Sequence, residues 1–342
     1  MIKKVLVGLL SLVVIACVIG GILLYNAVYK DIDEHFAGTC TALPLPGSAE
    51  DNQIDRERGF AYMSVLDRAA TASGEKTLPG QIMRLDLNAP EPQAVYALLD
   101  PPEGFHPHGL SLFIDEAGQR HLVVINHPEN RGVDEEHIER FIEQSPGKFK
   151  HAETFSSPLI TRPNDLVAVG PREFYVAQDT GQGTGITDTL LVYFDGADYT
   201  VIAEDIKSGG GINRSADNST LYVAETSSKN IRVITRGADG GIAATRNIAL
   251  PTSPDNIDVA EDGSLWIGAH SNLTALVMHF IVGSNAPTQI LRVDPNSADP
   301  AVEEVYLNKG TEITSGSGGS TWGRKLLIGS ITAEKILICD RD

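Results

Sequence analysis

Asn164-Asp165-Leu166-Val167-Ala168-Val169-Gly170-Pro171-Arg172-Glu173-Phe174-Tyr175-Val176-Ala177 is the stretch that decides the fold. A polar pair leads a short apolar run, a Gly-Pro turn interrupts it, and a second apolar run opens on an aromatic residue. This is the pattern of two antiparallel strands joined by a tight turn. The same order returns in Ile212-Asn213-Arg214-Ser215-Ala216-Asp217-Asn218-Ser219-Thr220-Leu221-Tyr222-Val223-Ala224 and in Asn256-Ile257-Asp258-Val259-Ala260-Glu261-Asp262-Gly263-Ser264-Leu265-Trp266-Ile267-Gly268. A further copy starts upstream at His108-Gly109-Leu110-Ser111-Leu112-Phe113-Ile114. The leading asparagines recur at intervals of about 40 to 50 residues, the size of one β-propeller blade. Dividing about 300 residues by that period gives six blades, with five or seven also compatible. The competing arrangement is a sandwich of unrelated hairpins.

The remaining texture agrees with an all-β domain. Short β-type runs lie at 122–126, 190–194, 231–235 and 326–331, broken by Gly, Pro, Asp and Asn, and no long amphipathic helix competes with them. Upstream, Lys3 and Lys4 precede an uninterrupted apolar run over residues 5–24. This reads as a signal-anchor transmembrane helix with the rest of the chain on the extracytoplasmic side. A cleaved signal peptide and lipidation at Cys17 are the alternatives. The expected organisation is an anchor over 1–24, a connector over 25–39 and one six-bladed β-propeller over 40–342.

A net charge of −18 over 342 residues argues against nucleic acid as a partner, because phosphate binding requires clustered Lys and Arg. It suits a cation-binding protein, although an acidic surplus also serves solubility alone. Of three cysteines, Cys17 lies in the apolar run, which leaves Cys40 and Cys339 as one candidate pair near opposite ends of the domain. Such a bridge would contribute at most about 5 kcal/mol through loop entropy. The residues leave open whether it forms, since buried free cysteines are common, while an exported chain would favour it.

In a propeller, the leading residues of the repeats converge on one end of a central channel. These are His108, Asn164 with Asp165, residues 210–213, and Asp255 with Asn256. Carboxylate and amide oxygens suit calcium, which accepts six to eight such ligands, whereas zinc would ask for imidazole and thiolate. A single Asn-Asp pair is ordinarily a turn device; recurrence at equivalent positions is what points to a metal.

Several segments then acquire a common meaning: Gly47-Ser48-Ala49-Glu50-Asp51, Phe105-His106-Pro107-His108-Gly109, Leu122-Val123-Val124-Ile125-Asn126-His127-Pro128, Gly211-Ile212-Asn213, Asp255-Asn256-Ile257, Gly268-Ala269-His270 and Lys325-Leu326-Leu327-Ile328-Gly329. Together with the opening stretch, and in this order and spacing, the chain resembles the paraoxonase family from about Cys40 to Cys339. The resemblance implies a propeller with two calcium ions, one catalytic and one structural. By motif position, Glu50, Asn164, Asp255 and Asn256 match ligands of the catalytic ion. Asp51, Asp165 and the Leu110 carbonyl match the structural site. The resemblance also implies a Cys40–Cys339 disulfide. Two positions depart from the family pattern: Gly210 stands where a further ligand Asn is usual, and Ala269 replaces a cysteine beside His270.

The implied chemistry is hydrolysis of lactones and aryl esters by direct water attack, since no Gly-x-Ser-x-Gly nucleophile elbow occurs and the Gly/Ser-rich stretch 315–320 precedes a strand. His108 is the expected base, with His127 behind it to orient and relay the proton, and Glu50 is the rival base. His270 is a candidate substrate contact. His106 has no assigned role. Small-molecule esters or lactones and, through the anchor, a membrane are the expected partners. The alternatives are a non-hydrolytic, calcium-stabilised propeller that binds a ligand or partner, and an enzyme of the gluconolactonase or strictosidine-synthase type. The rim segments 58–76 and 179–187 are too irregular to place.

Overall fold

The computed structural model describes residues 2–29, 32–74, 79–131, 133–180 and 188–342. Among the described residues the β-sheets number six, all antiparallel, arranged in chain order as a ring, so the fold is a six-bladed β-propeller. The inner strands are Ser48–Asp55, Pro107–Ile114, Pro163–Ala168, Gly209–Arg214, Ser253–Val259 and Gly316–Trp322, and each contacts the next around a closed circle. Each is followed by its second strand: Phe60–Leu66, Arg120–Asn126, Phe174–Gln178, Thr220–Glu225, Leu265–His270 and Lys325–Ser330.

Hydrophobic burial is divided among six clusters, each filling the wedge between two blades. The second strand of blade four shows why its sequence reads as a continuous apolar run. Leu221 and Val223 pack toward blade three, while Tyr222 and Ala224 pack toward blade five. Both faces of the strand are interior, so period-two alternation between apolar and polar residues is lost.

The ring closes by lending an N-terminal strand to the last blade. Gly38–Pro44 pairs antiparallel with Lys335–Arg341, and Cys40 stands directly opposite Cys339. The two form the disulfide that the family resemblance implied.

Two features differ from the sequence reading. Leu273–Val282 is a helix inserted between the second and third strands of blade five. The sequence reading assigned no element to this apolar run; Asn272 accepts a hydrogen bond from the Ala275 N–H at its start and Gly283 takes a left-handed conformation at its end. The caps decide what the apolar run does not. At the N-terminus, Ile2–Tyr29 is helical over 28 residues, yet among the described residues no helix is long and apolar enough to cross a membrane. The expected transmembrane span is therefore not supported. Of the rim segments, 58–76 contains the short helix Arg68–Ser73, and most of 179–187 lies outside the described residues.

Candidate active site at one end of the channel

Every inner strand slips register against its second strand at the same place. The shifts fall between Ala49 and Asn52, Pro107 and Leu110, Pro163 and Asp165, Gly209 and Ile212, Pro254 and Ile257, and Gly316 and Gly319. A bulge of this kind unpairs the extra residue and re-aims its side chain. Glu50, His108, Asn164, Gly210 and Asp255 all lie in these bulges, and all five line one cavity of about 300 Å³. A second ring comes from the chain just where each second strand ends, and contributes Asp179, Thr226, His270 and Ile331 to the same cavity. Helix Leu273–Val282 walls one side with Leu273, Leu276 and Phe280.

Behind the bulges, a circle of hydrogen bonds ties each blade to the next. Asp51 Oδ2 accepts from the Leu110 N–H at 2.8 Å, Ser111 Oγ from the Ala168 N–H at 3.0 Å, and Asp165 Oδ2 from the Ile212 N–H at 2.7 Å. Asn213 Nδ2 donates to the Ile257 carbonyl at 2.8 Å, Asp258 Oδ2 accepts from the Thr321 N–H at 2.9 Å, and Ser320 Oγ donates to the Asn52 carbonyl at 3.3 Å. Close inter-blade approach is also why Gly109 is required: a Cβ there would stand 2.5 Å from Asp165 Cα.

The electrostatics of this end are unusual for folded protein. Asp51 is pushed up to about 8 by burial first and by neighbouring Glu50 second. Burial and then Asp51 raise Asp165 well above the ordinary range; burial also raises Asp255, with the His270 Nε2 contact at 3.1 Å working against it. Glu50 behaves oppositely. Its burial is outweighed by His108 foremost, then by Arg68 and Asn256, which together hold it at about 2. Several acids thus share a buried site with too little positive charge.

Acceptor atoms are orphaned as well. Asn164 Nδ2 is held by Asp179 Oδ2 at 3.4 Å, which leaves Oδ1 buried with no partner. His108 Nε2 stands 3.2 Å from Glu50 Oε2, but that oxygen receives no aligned hydrogen bond. Both amide atoms of Asn52 are buried without partners. Asn256 Nδ2 donates to Glu50 Oε1 at 2.9 Å and to the Glu50 carbonyl at 3.1 Å. Among the described residues, no group of three or more His, Cys, Asp or Glu could by itself hold a metal. A cation here would need amide and backbone oxygens in addition to carboxylates, a donor set that fits calcium.

The comparisons with known proteins follow this geometry. The sequence model of the arylesterase family matches residues 56–341. Human serum paraoxonase/arylesterase 1 is 30% identical over 311 residues, 85% of each chain. Rat serum paraoxonase/lactonase 3 is 31% identical over 315 residues, 86% of each. The chain belongs to the arylesterase family. Its likeness to solved structures is one of fold alone: a luciferin-regenerating enzyme superposes with a TM-score of 0.56 at 13% identity, covering 89% of this chain and 95% of that one.

For this arylesterase-family chain, the structure sorts the residues expected from sequence. Glu50, His108, Asn164, Asp255 and His270 meet in the cavity. Asp51, Asp165, Leu110 and Asn256 lie one layer back, buried. His127 also lies behind, its Nε2 2.8 Å from His108 Nδ1. His270, the candidate substrate contact, is buried in the cavity lining and paired to Asp255.

Sequence reasoning missed Asp179, Thr226, Asn52, Arg131 and Glu136. Asp179 and Thr226 carried a usable signal, because both sit one position past the residue that pairs with the start of a bulge, as His127 and His270 do. Thr226 matters beside Gly210: a Cβ at 210 would meet its Oγ1 at 3.0 Å, and that hydroxyl donates to the Pro254 carbonyl at 2.9 Å.

Proposed function

We propose that this chain hydrolyses lactones and aryl esters by attack of a water molecule whose proton passes to His108. The observation that carries this reading is the position of His108, at a bulge in the cavity lining, with Glu50 on one side and His127 on the other. Its reaction class follows the activities in the names of its relatives, arylesterase and lactonase. Glu50, Asn164, Asp255 and Asn256 would hold one calcium ion, and Asp51, Asp165 and the Leu110 carbonyl a second. Bound in the cavity, the first would polarise the substrate carbonyl and stabilise the oxyanion.

The residues of the chain supply the remainder. His108 receives the water proton, and His127 orients the ring from behind. Glu50 is the weaker rival, because as a ligand of the calcium ion its carboxylate would be engaged by the metal. Leu273, Leu276 and Phe280 form an apolar wall that favours a substrate with a hydrophobic body. The disulfide supports an oxidising, extracytoplasmic location, testable by whether a reporter active only outside the cytoplasm works when fused at the C-terminus.

The test of the activity is turnover of a panel of lactones and aryl acetates by the full chain, with calcium and after chelation, for wild type, His108→Gln and Asp255→Ala. Calcium-dependent turnover lost in both variants, with His108→Gln still folded and binding calcium, supports the mechanism. A folded, calcium-binding wild type without turnover on any member would replace it with a ligand-binding propeller.

A further inference from the structure

Four side chains form a row across one end of blade two. Glu50 Oε2 stands 3.2 Å from His108 Nε2, His108 Nδ1 lies 2.8 Å from His127 Nε2, and His127 Nδ1 lies 2.6 Å from Glu136 Oε2. The last contact follows from hairpin register. Asn126 pairs with His137, so the residues just beyond them, His127 and Glu136, face each other across the hairpin. The Glu136 side chain is fully buried, and Arg131 Nε lies 4.0 Å from its other oxygen.

The bond between the two histidines is compatible with two proton arrangements. Either His108 donates from Nδ1 to His127 Nε2, or His127 donates from Nε2 to His108 Nδ1. Only the first leaves the outer nitrogen of a neutral His108 free to accept a proton on the cavity side. Glu136 distinguishes them. With Glu136 ionised beside Arg131, its carboxylate accepts and cannot donate, so its contact places the His127 proton on Nδ1. Burial, followed by the charge of Arg131, holds His127 well below the ordinary histidine range, so the ring is neutral and its Nε2 carries a lone pair. That lone pair accepts from His108 Nδ1–H, which leaves Nε2, 3.2 Å from Glu50 Oε2, as the nitrogen of His108 that exchanges a proton on the cavity side.

We propose that Glu136 is a positioning residue that sets the tautomers of both histidines, so that His108 presents a free base to the cavity. This rests on the reading of His108 as the base. Carboxylates that orient metal-ligating histidines are worth about 10- to 100-fold when removed, and the same scale is expected of Glu136.

The experiment is long-range ¹H–¹⁵N correlation on the full chain labelled at histidine nitrogens, at a pH where the rings are neutral, with signals assigned through His127→Gln and His108→Gln. Wild type is expected to show the Nδ1–H tautomer at both residues. Glu136→Leu is expected to shift His127 toward Nε2–H and to lower kcat on an aryl acetate about 10- to 100-fold with little change in KM. Glu136→Gln, nearly identical in shape, keeps the reading testable should the leucine variant not fold. It is expected to shift the tautomers less, because its carbonyl oxygen can still accept. Turnover accompanied by an Nε2–H His127 in wild type would overturn the inference alone, as would unchanged tautomers and kcat in the folded variants. Wild type with the expected tautomers and no turnover would instead remove the hydrolase reading, and the positioning role with it.

Discussion

Raising the pH of the chelated protein should destabilise it, and the buried acids give the size of the effect. Asp51 is pushed up to about 8 in the folded chain, whereas an unfolded aspartate titrates near about 3.9. Between those values the folded state keeps a proton that the unfolded state has lost, so stability falls as pH rises through the window. One fully shifted group gives about 1.4 kcal/mol per pH unit. Asp165 and Asp255 are raised as well, but they share repulsion within one cluster, so a single-group slope is the appropriate scale. Two groups act oppositely. Glu50, lowered to about 2, contributes stability that is lost only at much lower pH. His127, lowered by burial, makes stability rise with pH up to its unfolded value near about 6.5. The clean window is therefore about pH 6.5 to 8, where a loss of about 2 kcal/mol corresponds to a fall in Tm of about 4 °C for a domain of this size. Thermal unfolding of the full chain at half-unit pH steps in chelator measures it. Millimolar calcium is expected to flatten the slope, because a cation relieves the repulsion that raised the acids. A Tm that is level or rising across this window in chelator would refute the reasoning.

Replacing Cys40 with Ser should lower stability by up to about 5 kcal/mol, read as a fall in the urea midpoint that a reducing agent reproduces in wild type. Gly109→Ala should cost about 1 to 3 kcal/mol, because its Cβ would stand 2.5 Å from both Asp165 Cα and Asp165 Oδ1; its Tm against that of Gly21→Ala, where a Cβ meets nothing within 4 Å and the backbone is helical, checks this. Gly210→Asn in a Thr226→Ala background should tighten calcium binding in titration calorimetry, since it adds an amide oxygen to the cavity wall. Unchanged affinity would show that position 210 is not a ligand position in this chain.

The blade repeat was legible in the sequence because each blade is a local meander whose turns and apolar runs are encoded within it. The residues that lead the four repeats were legible for the same reason, and His108, Asn164 and Asp255 do share the cavity. Helix Leu273–Val282 was not legible, because its β-branched and aromatic run needed the caps Asn272 and Gly283 to be recognised as a helix. Nor was Glu136, which lies nine residues from His127 in the chain and meets it only once the Asn126–His137 register is known.

Sequence by itself thus determined the repeating β-unit, the family and the identity of the bulge residues. Tertiary structure decided which of them share one space. Ring closure through Gly38–Pro44 and the Cys40–Cys339 bond brings Glu50 of the first blade against Asn256 of the fifth and Ser317 of the sixth. Burial there raises the aspartates and strands the acceptor of Asn164. The strength of a charge or a hydrogen bond depends on the solvent removed around it, and that removal is a property of the closed ring and not of any single stretch of chain.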